Sequence, residues 1–265
     1  MKLFLCGFGV AGESVLRRVV KRPDINEVAV FTHEAGVLGQ SLMGAAGELG
    51  VWCTTGSVNQ MGLWPFEPDV ISSVYYRTIV KPHVIDAVGG RIFNAHSSLL
   101  PRHRGRSPVA WAIVEGDFTT GVTFHYIDEG IDTGKVILQV PIRVAPDETQ
   151  ASLFSKVDDA TVEYWSTALT MVKWGLTGWE QTAGLTSNMS YHSAGPPYGG
   201  RIDPNWPEDQ VERFIRAMTY PPLPYATVYG EEVRNLDEYR TVLQRHHRDA
   251  VSEQRAAHRS IHTAS

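Results

Sequence analysis

Short apolar runs alternate with stretches whose apolar positions recur every three or four residues. Residues 3–6, 28–31 and 70–74 read as strands, and 13–20, 41–49 and 82–88 as the helices that follow them. Strands this apolar need cover on both faces, and parallel neighbours need crossover helices. The rhythm therefore predicts an α/β chain, a Rossmann-like and mostly parallel sheet with helices on both faces, and ligands at the carboxyl ends of its strands. Ile92-Phe93 begin a further strand. Residues 121–127 alternate Val122, Phe124 and Tyr126 against Thr123 and His125, a strand pattern, and Ser107-Pro108 opens a helix. A longer helix over 150–174 carries Leu153, Val157, Ala160, Trp165, Leu169 and Val172 on one face.

After Trp179 the texture turns to Gly, Ser, Asn and Pro, which marks a boundary. The expected organisation is a catalytic domain over 1–180, a small carboxyl-terminal extension over 181–239 and a polar tail over 240–265. The extension should hold a helix over 207–218, the stretch Tyr220-Pro221-Pro222-Leu223-Pro224-Tyr225 and a small hairpin from Ala226 to Leu236. The tail, with Arg245-His246-His247-Arg248, reads as a solvated, partly helical segment rather than a metal site.

Composition narrows the function classes. The 265 residues are 43% hydrophobic and 20% charged, enough for one full α/β domain and a smaller appendage, and the formal charge of −5 leaves no electrostatic footprint for nucleic acid or an anionic membrane. Cys6 and Cys53, both in apolar strand-like settings, read as buried free thiols, which fits a reducing, cytoplasmic setting. The opening Met-Lys-Leu-Phe-Leu-Cys reaches glycine too soon for a signal peptide, and no apolar run approaches the ~18 residues of a membrane span.

Candidate chemistry sits at two strand ends. Asn94 and His96, two apart after Ile92-Phe93, point to the same side of the backbone, and the loop after the 121–127 strand delivers Asp132 within Gly130-Ile131-Asp132-Thr133-Gly134. An amide, an imidazole and a carboxylate so placed suit attack on a carbonyl: the imidazole takes a proton, the amide N–H helps hold the oxyanion, and the carboxylate orients the imidazole. Taken singly, each has a plainer reading, as a packed strand histidine, a turn cap and a turn aspartate. Gly7-Phe8-Gly9-Val10-Ala11-Gly12 supplies a rival, since a glycine-rich turn between strand and helix, with Glu34 after the second strand, is the setting of an NAD-binding fingerprint. The plainer reading is that these glycines only let the strand turn tightly into its helix.

Asn94-Ala95-His96, Ser98-Leu99-Leu100-Pro101, Arg104-Gly105-Arg106 and the Gly-x-Asp-x-Gly loop together resemble the folate-dependent formyltransferase family, whose elements they match in order. The resemblance runs over roughly 2–229. It implies that Asn94, His96 and Asp132 catalyse formyl transfer from N10-formyltetrahydrofolate to an amine, without a metal. It also implies that Thr78, Ile79, Val80, Arg106, Asp128, Glu129, Gly130 and Ile131 line the folate. Gly200-Arg201-Ile202-Asp203, followed by Phe214-Ile215-Arg216-Ala217-Met218 and Pro221-Pro222, looks like the extension of sugar N-formyltransferases. The implied acceptor is then a nucleotide-linked amino sugar, commonly a 4-amino-4,6-dideoxyhexose on dTDP or GDP. Arg102, Arg201 and Arg216 are candidate diphosphate partners, and Tyr220 and Tyr225 candidate stacking faces for the base. His-Ser-Ser after the catalytic position departs from the family's His-Gly-Ser or His-Pro-Ser and leaves the acceptor pocket open. The resemblance further suggests a homodimer. A methionyl-tRNA formyltransferase is the alternative within the family, although the long tRNA-binding barrel of that enzyme has no counterpart here.

Overall fold

The computed structural model describes residues 1–34, 41–181 and 189–262, with the side chains of residues 41 and 254–262 outside the description. Five strands run parallel: β1 (Lys2–Gly7), β2 (Glu27–Phe31), β3 (Trp52–Thr54), β4 (Val70–Val74) and β5 (Ile92–His96). A two-residue β6 (Arg104–Gly105) follows, and then the long β7 (Thr119–Tyr126) and β8 (Val136–Arg143) add to the sheet in antiparallel fashion. The strand order is β3-β2-β1-β4-β5-β7-β8, so the mostly parallel α/β expectation holds.

Alternation along the strands sorts side chains to two faces. Leu3 and Leu5 of β1, with Val70, Phe93 and Phe124, meet α1 (Gly9–Val19), α2 (Ser41–Glu48), α4 (Pro108–Val114) and α5 (Gln150–Lys173). Phe4 and Cys6, with Ile71 and Ile92, meet α3 (Pro82–Ala87) and the segment around Val58, Trp64 and Phe66. Cys6 is fully buried, which drives its thiol pKa well up, whereas Cys53 is only half-buried, short of the expectation for it. Helix α5 begins at a capping box of Thr149 and Ser152 and crosses the sheet, where the Trp165 indole donates to Ser72 Oγ at 2.7 Å.

The Gly7-Phe8-Gly9 turn serves packing. A Cβ on Gly7 would meet Leu42 of α2 at 3.0 Å and one on Gly12 would meet it at 3.2 Å, so these two glycines let β1, α1 and α2 close on one another.

Beyond β9 (Tyr191–His192), which pairs with β6, lie α6 (Glu208–Ala217), the hairpin β10 (Ala226–Val228) and β11 (Glu231–Val233), and α7 (Leu236–His262). Val211 and Phe214 of α6, with Val228 and Val233, join the same buried cluster as α4 and α5. Helix α7 crosses position 240 without a break and buries Tyr239 and Val242. Residues 182–188 of the extension and 263–265 of the tail lie outside the described residues. No described helix is long and apolar enough to cross a membrane.

Candidate active site

Register places the central groups. Ser73 of β4 lies opposite Asn94 of β5, and Asn94 lies opposite His125 of β7, so three polar side chains cross the sheet in line. Ser73 Oγ donates to Asn94 Oδ1 at 2.7 Å, Asn94 Nδ2 lies 3.2 Å from His125 Nε2, and His125 Nδ1 lies 2.8 Å from the Tyr126 carbonyl. One assignment of protons satisfies the row: Nδ1–H of His125 donates to the carbonyl, Nε2 accepts from Asn94, and the second amide N–H of Asn94 has no partner among the described residues. His125 is buried at 2% exposure, and desolvation carries its pKa down from 6.5 to about 4, so it is neutral at pH 7.

His96 is fixed the same way, by main chain. Its Nε2 lies 2.9 Å from the carbonyl of His103, an acceptor only, so Nε2 carries the proton and Nδ1 keeps the lone pair in the neutral ring. That Nδ1 sits 3.5 Å from Asp132 Oδ2, while Asp132 Oδ1 sits 3.6 Å from His125 Nε2. Asp132 has a left-handed φ of +54° and accepts the Gly105 N–H on Oδ2 at 2.8 Å. Burial pulls its pKa up, but His96, His125, the Gly105 amide and Arg104 together outweigh burial and hold the carboxyl below its usual range. Asn94, His96 and Asp132 therefore converge, as their spacing predicts.

Two participants are not visible in the motifs. His125 is legible only as a polar position on a strand, and its place opposite Asn94 comes from antiparallel register. Gln181 donates to the carbonyls of Asp132 and Gly134 at 2.9 and 2.8 Å while accepting from Arg104, and no local pattern marks it.

The expected folate-lining residues form two shelves. Asn59 accepts the Lys81 N–H and donates to the Ile79 carbonyl, which holds Thr78, Ile79 and Val80; Ile79 points outward while Val80 is buried. On the other side Asp128 accepts from the Gly130 N–H and the Thr133 hydroxyl, and Glu129, Gly130 and Ile131 are exposed. Arg106 is exposed; burial lowers the pKa of His33, and the charges of Arg77 and Arg106 lower it further.

The five expected acceptor residues have different surroundings. Arg102 is engaged in an ion cluster: its Nε and Nη2 donate to Asp117 and Glu115 at 2.5–2.7 Å. Arg216 donates to the Glu148 carbonyl at 2.7 Å, and its Nε is buried without a partner. Arg201 is exposed, Tyr220 packs on Phe154, and Tyr225 lies under Arg234. His103, Glu115 and His192 bring ligand-type atoms within 4.8 Å of one another, but the two imidazoles already meet at 3.0 Å, Asp117 holds the other face of His103, and Arg102 occupies Glu115.

Residues 57–169 match the formyl transferase family model. GDP-perosamine N-formyltransferase of Brucella melitensis is 30% identical over 252 residues, covering 92% of this chain and 96% of that protein. Among solved structures, WlaRD, a sugar 3N-formyltransferase crystallised with dTDP and 5-N-formyl-THF, superposes with a TM-score of 0.73 at 19% identity over 88% of this chain and 85% of its own. The N-formyltransferase of Helicobacter canadensis, in complex with folinic acid and dTDP-3-aminofucose, gives 0.71 at 20% over 88% and 86%. The structural matches share the fold; the relative identical at 30% across nearly its whole length, together with the converging amide, imidazole and carboxylate, makes the chain a member of the formyltransferase family, in its sugar N-formyltransferase branch.

Proposed function

We propose that the protein transfers the formyl group of N10-formyltetrahydrofolate to the amine of a nucleotide-linked amino sugar, with a 4-amino-4,6-dideoxyhexose on dTDP or GDP as the acceptor and a homodimer as the working form. The observation that carries this reading is the Asn94, His96 and Asp132 constellation with one amide N–H unspent. It is supported by the Brucella relative, named for GDP-perosamine, and by the Helicobacter neighbour, which holds a folate and a dTDP-linked amino sugar. Exposed Ile79, and Ile131 next to Asp132 in the chain, fit a flat, partly apolar ring system.

When bound, the folate supplies an activated formyl carbon. The chain's part follows from its proton assignments. His96 Nδ1, the nitrogen with the lone pair, removes the proton of the attacking amine. The free N–H of Asn94, fixed by Ser73 on one side and His125 on the other, faces the oxygen on which negative charge develops. Asp132, already ionised, stabilises the imidazolium through Nδ1 and keeps His96 oriented. Neutral His125 contributes no charge; it prevents Asn94 from turning its carbonyl toward the oxyanion. The proton held by His96 is then available to the departing folate nitrogen.

The test is turnover of a panel of dTDP- and GDP-linked amino sugars with N10-formyltetrahydrofolate, followed by release of tetrahydrofolate. His96→Ala, Asn94→Ala and Asp132→Ala should each lose about a hundredfold or more in kcat while remaining folded. A fully active His96→Ala enzyme defeats the mechanism, and failure of every sugar nucleotide to turn over defeats the functional reading.

A further inference from the structure

The proton on His96 is contested. Its Nε2 lies 2.9 Å from the His103 carbonyl and its Nδ1 lies 3.5 Å from Asp132 Oδ2, and a neutral imidazole has one proton for the two acceptors. At equal distance the carboxylate is the stronger acceptor. The form with Nδ1 free to act as base therefore holds only while the carbonyl stays the closer of the two. Whatever aims that carbonyl decides which nitrogen of His96 is the base.

His103 stands in the loop between β5 and β6 in a left-handed conformation, φ +56°. Its own N–H donates to Ser190 Oγ and the Arg104 N–H donates to the Ser190 carbonyl, each at 2.9 Å. Its side chain is 1% exposed and is held at both ring nitrogens: Nε2 lies 2.8 Å from Asp117 Oδ2 and Nδ1 lies 3.0 Å from His192 Nε2. Asp117 sits in the turn between α4 and β7, gripped by Arg102 at 2.5–2.7 Å. Burial would raise the pKa of Asp117, but His103 and Arg102 outweigh burial and keep the carboxyl below its usual range, so the partner of His103 is ionised. His192 lies flat on Trp111 of α4, 4.1 Å between centroids, and desolvation carries its pKa from 6.5 to about 4, which leaves it neutral. The mechanism uses the His103 carbonyl and leaves the imidazole, Asp117 and His192 without a part.

We infer that His103 is a positioning residue, whose side chain, anchored between Asp117 and His192, aims its own carbonyl at His96 and so holds the base in the tautomer with Nδ1 free. Its effect on turnover rests on the proposed formyl-transfer reading; its effect on the His96 tautomer does not. No covalent bond to His103 forms or breaks. Loss of the anchor lets residue 103 leave the left-handed region, the carbonyl swings away, and Asp132 draws the His96 proton onto Nδ1.

The experiment records the imidazole 15N shifts of the full chain labelled in histidine, at pH 8, above the ordinary histidine pKa. The His96 signals are identified by their absence from His96→Gln, and steady-state constants are measured alongside. In the unsubstituted chain Nε2 of His96 should carry the proton. His103→Ala, and Asp117→Ala with residue 103 untouched, should each move a measurable fraction of His96 to the Nδ1–H form, while His125, tied to the Tyr126 carbonyl, keeps its own. In both variants kcat should fall at least tenfold, with KM for each substrate within about twofold. His103→Asn, a residue that takes the left-handed region readily, should recover part of kcat. An unsubstituted chain with the His96 proton on Nδ1 overturns the inference. So does either variant, folded, in which the tautomer or kcat is unchanged. If the unsubstituted chain turns over no nucleotide-linked amino sugar, the functional reading falls, and the tautomer comparison still decides whether His103 positions His96.

Discussion

His125 makes the acid side of the stability profile steep. Its folded pKa of about 4 lies below the unfolded value of 6.5, so between those values the unfolded chain binds more protons and stability falls as pH falls. Asp132 acts in the same direction: its lowered folded pKa contributes stability that is present above the unfolded value and lost as pH falls through the folded one. Melting temperature should therefore drop from about pH 6.5 toward pH 4, and His125→Gln should flatten the upper part of that drop; an unchanged slope would place the titration elsewhere. The same variant should lower kcat by about ten- to a hundredfold, because Asn94 loses its fixed orientation. Asn94, His96 and Asp132 are legible in the sequence because motif order and strand spacing fix them. His125 and Gln181 are not, since the contacts that matter lie 31 residues from Asn94 in one case and 49 from Asp132 in the other.

Among the elements, the apolar runs give β1, β2, β4 and β5 and the helices between them to within a few residues, because buried parallel strands carry the simplest pattern. Strand β8 escapes that reading. It ends the sheet and contains Pro141, which an edge tolerates and which blurs the strand signal. Strands β6 and β9 are two residues each, too short for any periodicity. Yet β6 carries a steric constraint. Gly105 has φ +91°, a Cβ there would meet the His192 carbonyl at 2.1 Å, and its N–H is the donor on Asp132. Gly105→Ala should separate β6 from β9 and loosen Asp132, with kcat reduced at least tenfold and a lower melting temperature. Full activity in that variant would show that the Gly105 amide does not position the carboxylate.

At the scale of the molecule, the extension shares its core with the sheet domain. Phe214 is fully buried in the cluster that contains Val109 and Leu169, so a chain ending before Gly200 would uncover that apolar face. Such a truncation should aggregate or lose its cooperative melting transition; a soluble, cooperatively folded fragment would show that the extension is separable. With a formal charge of −5, the intact protein should show no tRNA binding at physiological salt, and a tight complex weakening steeply with added salt would point back to a tRNA acceptor. The His103 carbonyl sets the protonation of His96, the Tyr126 carbonyl sets that of His125, and the Gly105 amide grips Asp132. Main-chain atoms persist through any replacement that keeps the path of the chain, so the settings of His96, His125 and Asp132 are insulated from such drift in the residues that surround them, whereas Asn94, held by the Ser73 and His125 side chains, depends on those two. The surrounding sequence is free to diverge and take new acceptors while the reacting corner stays in tune.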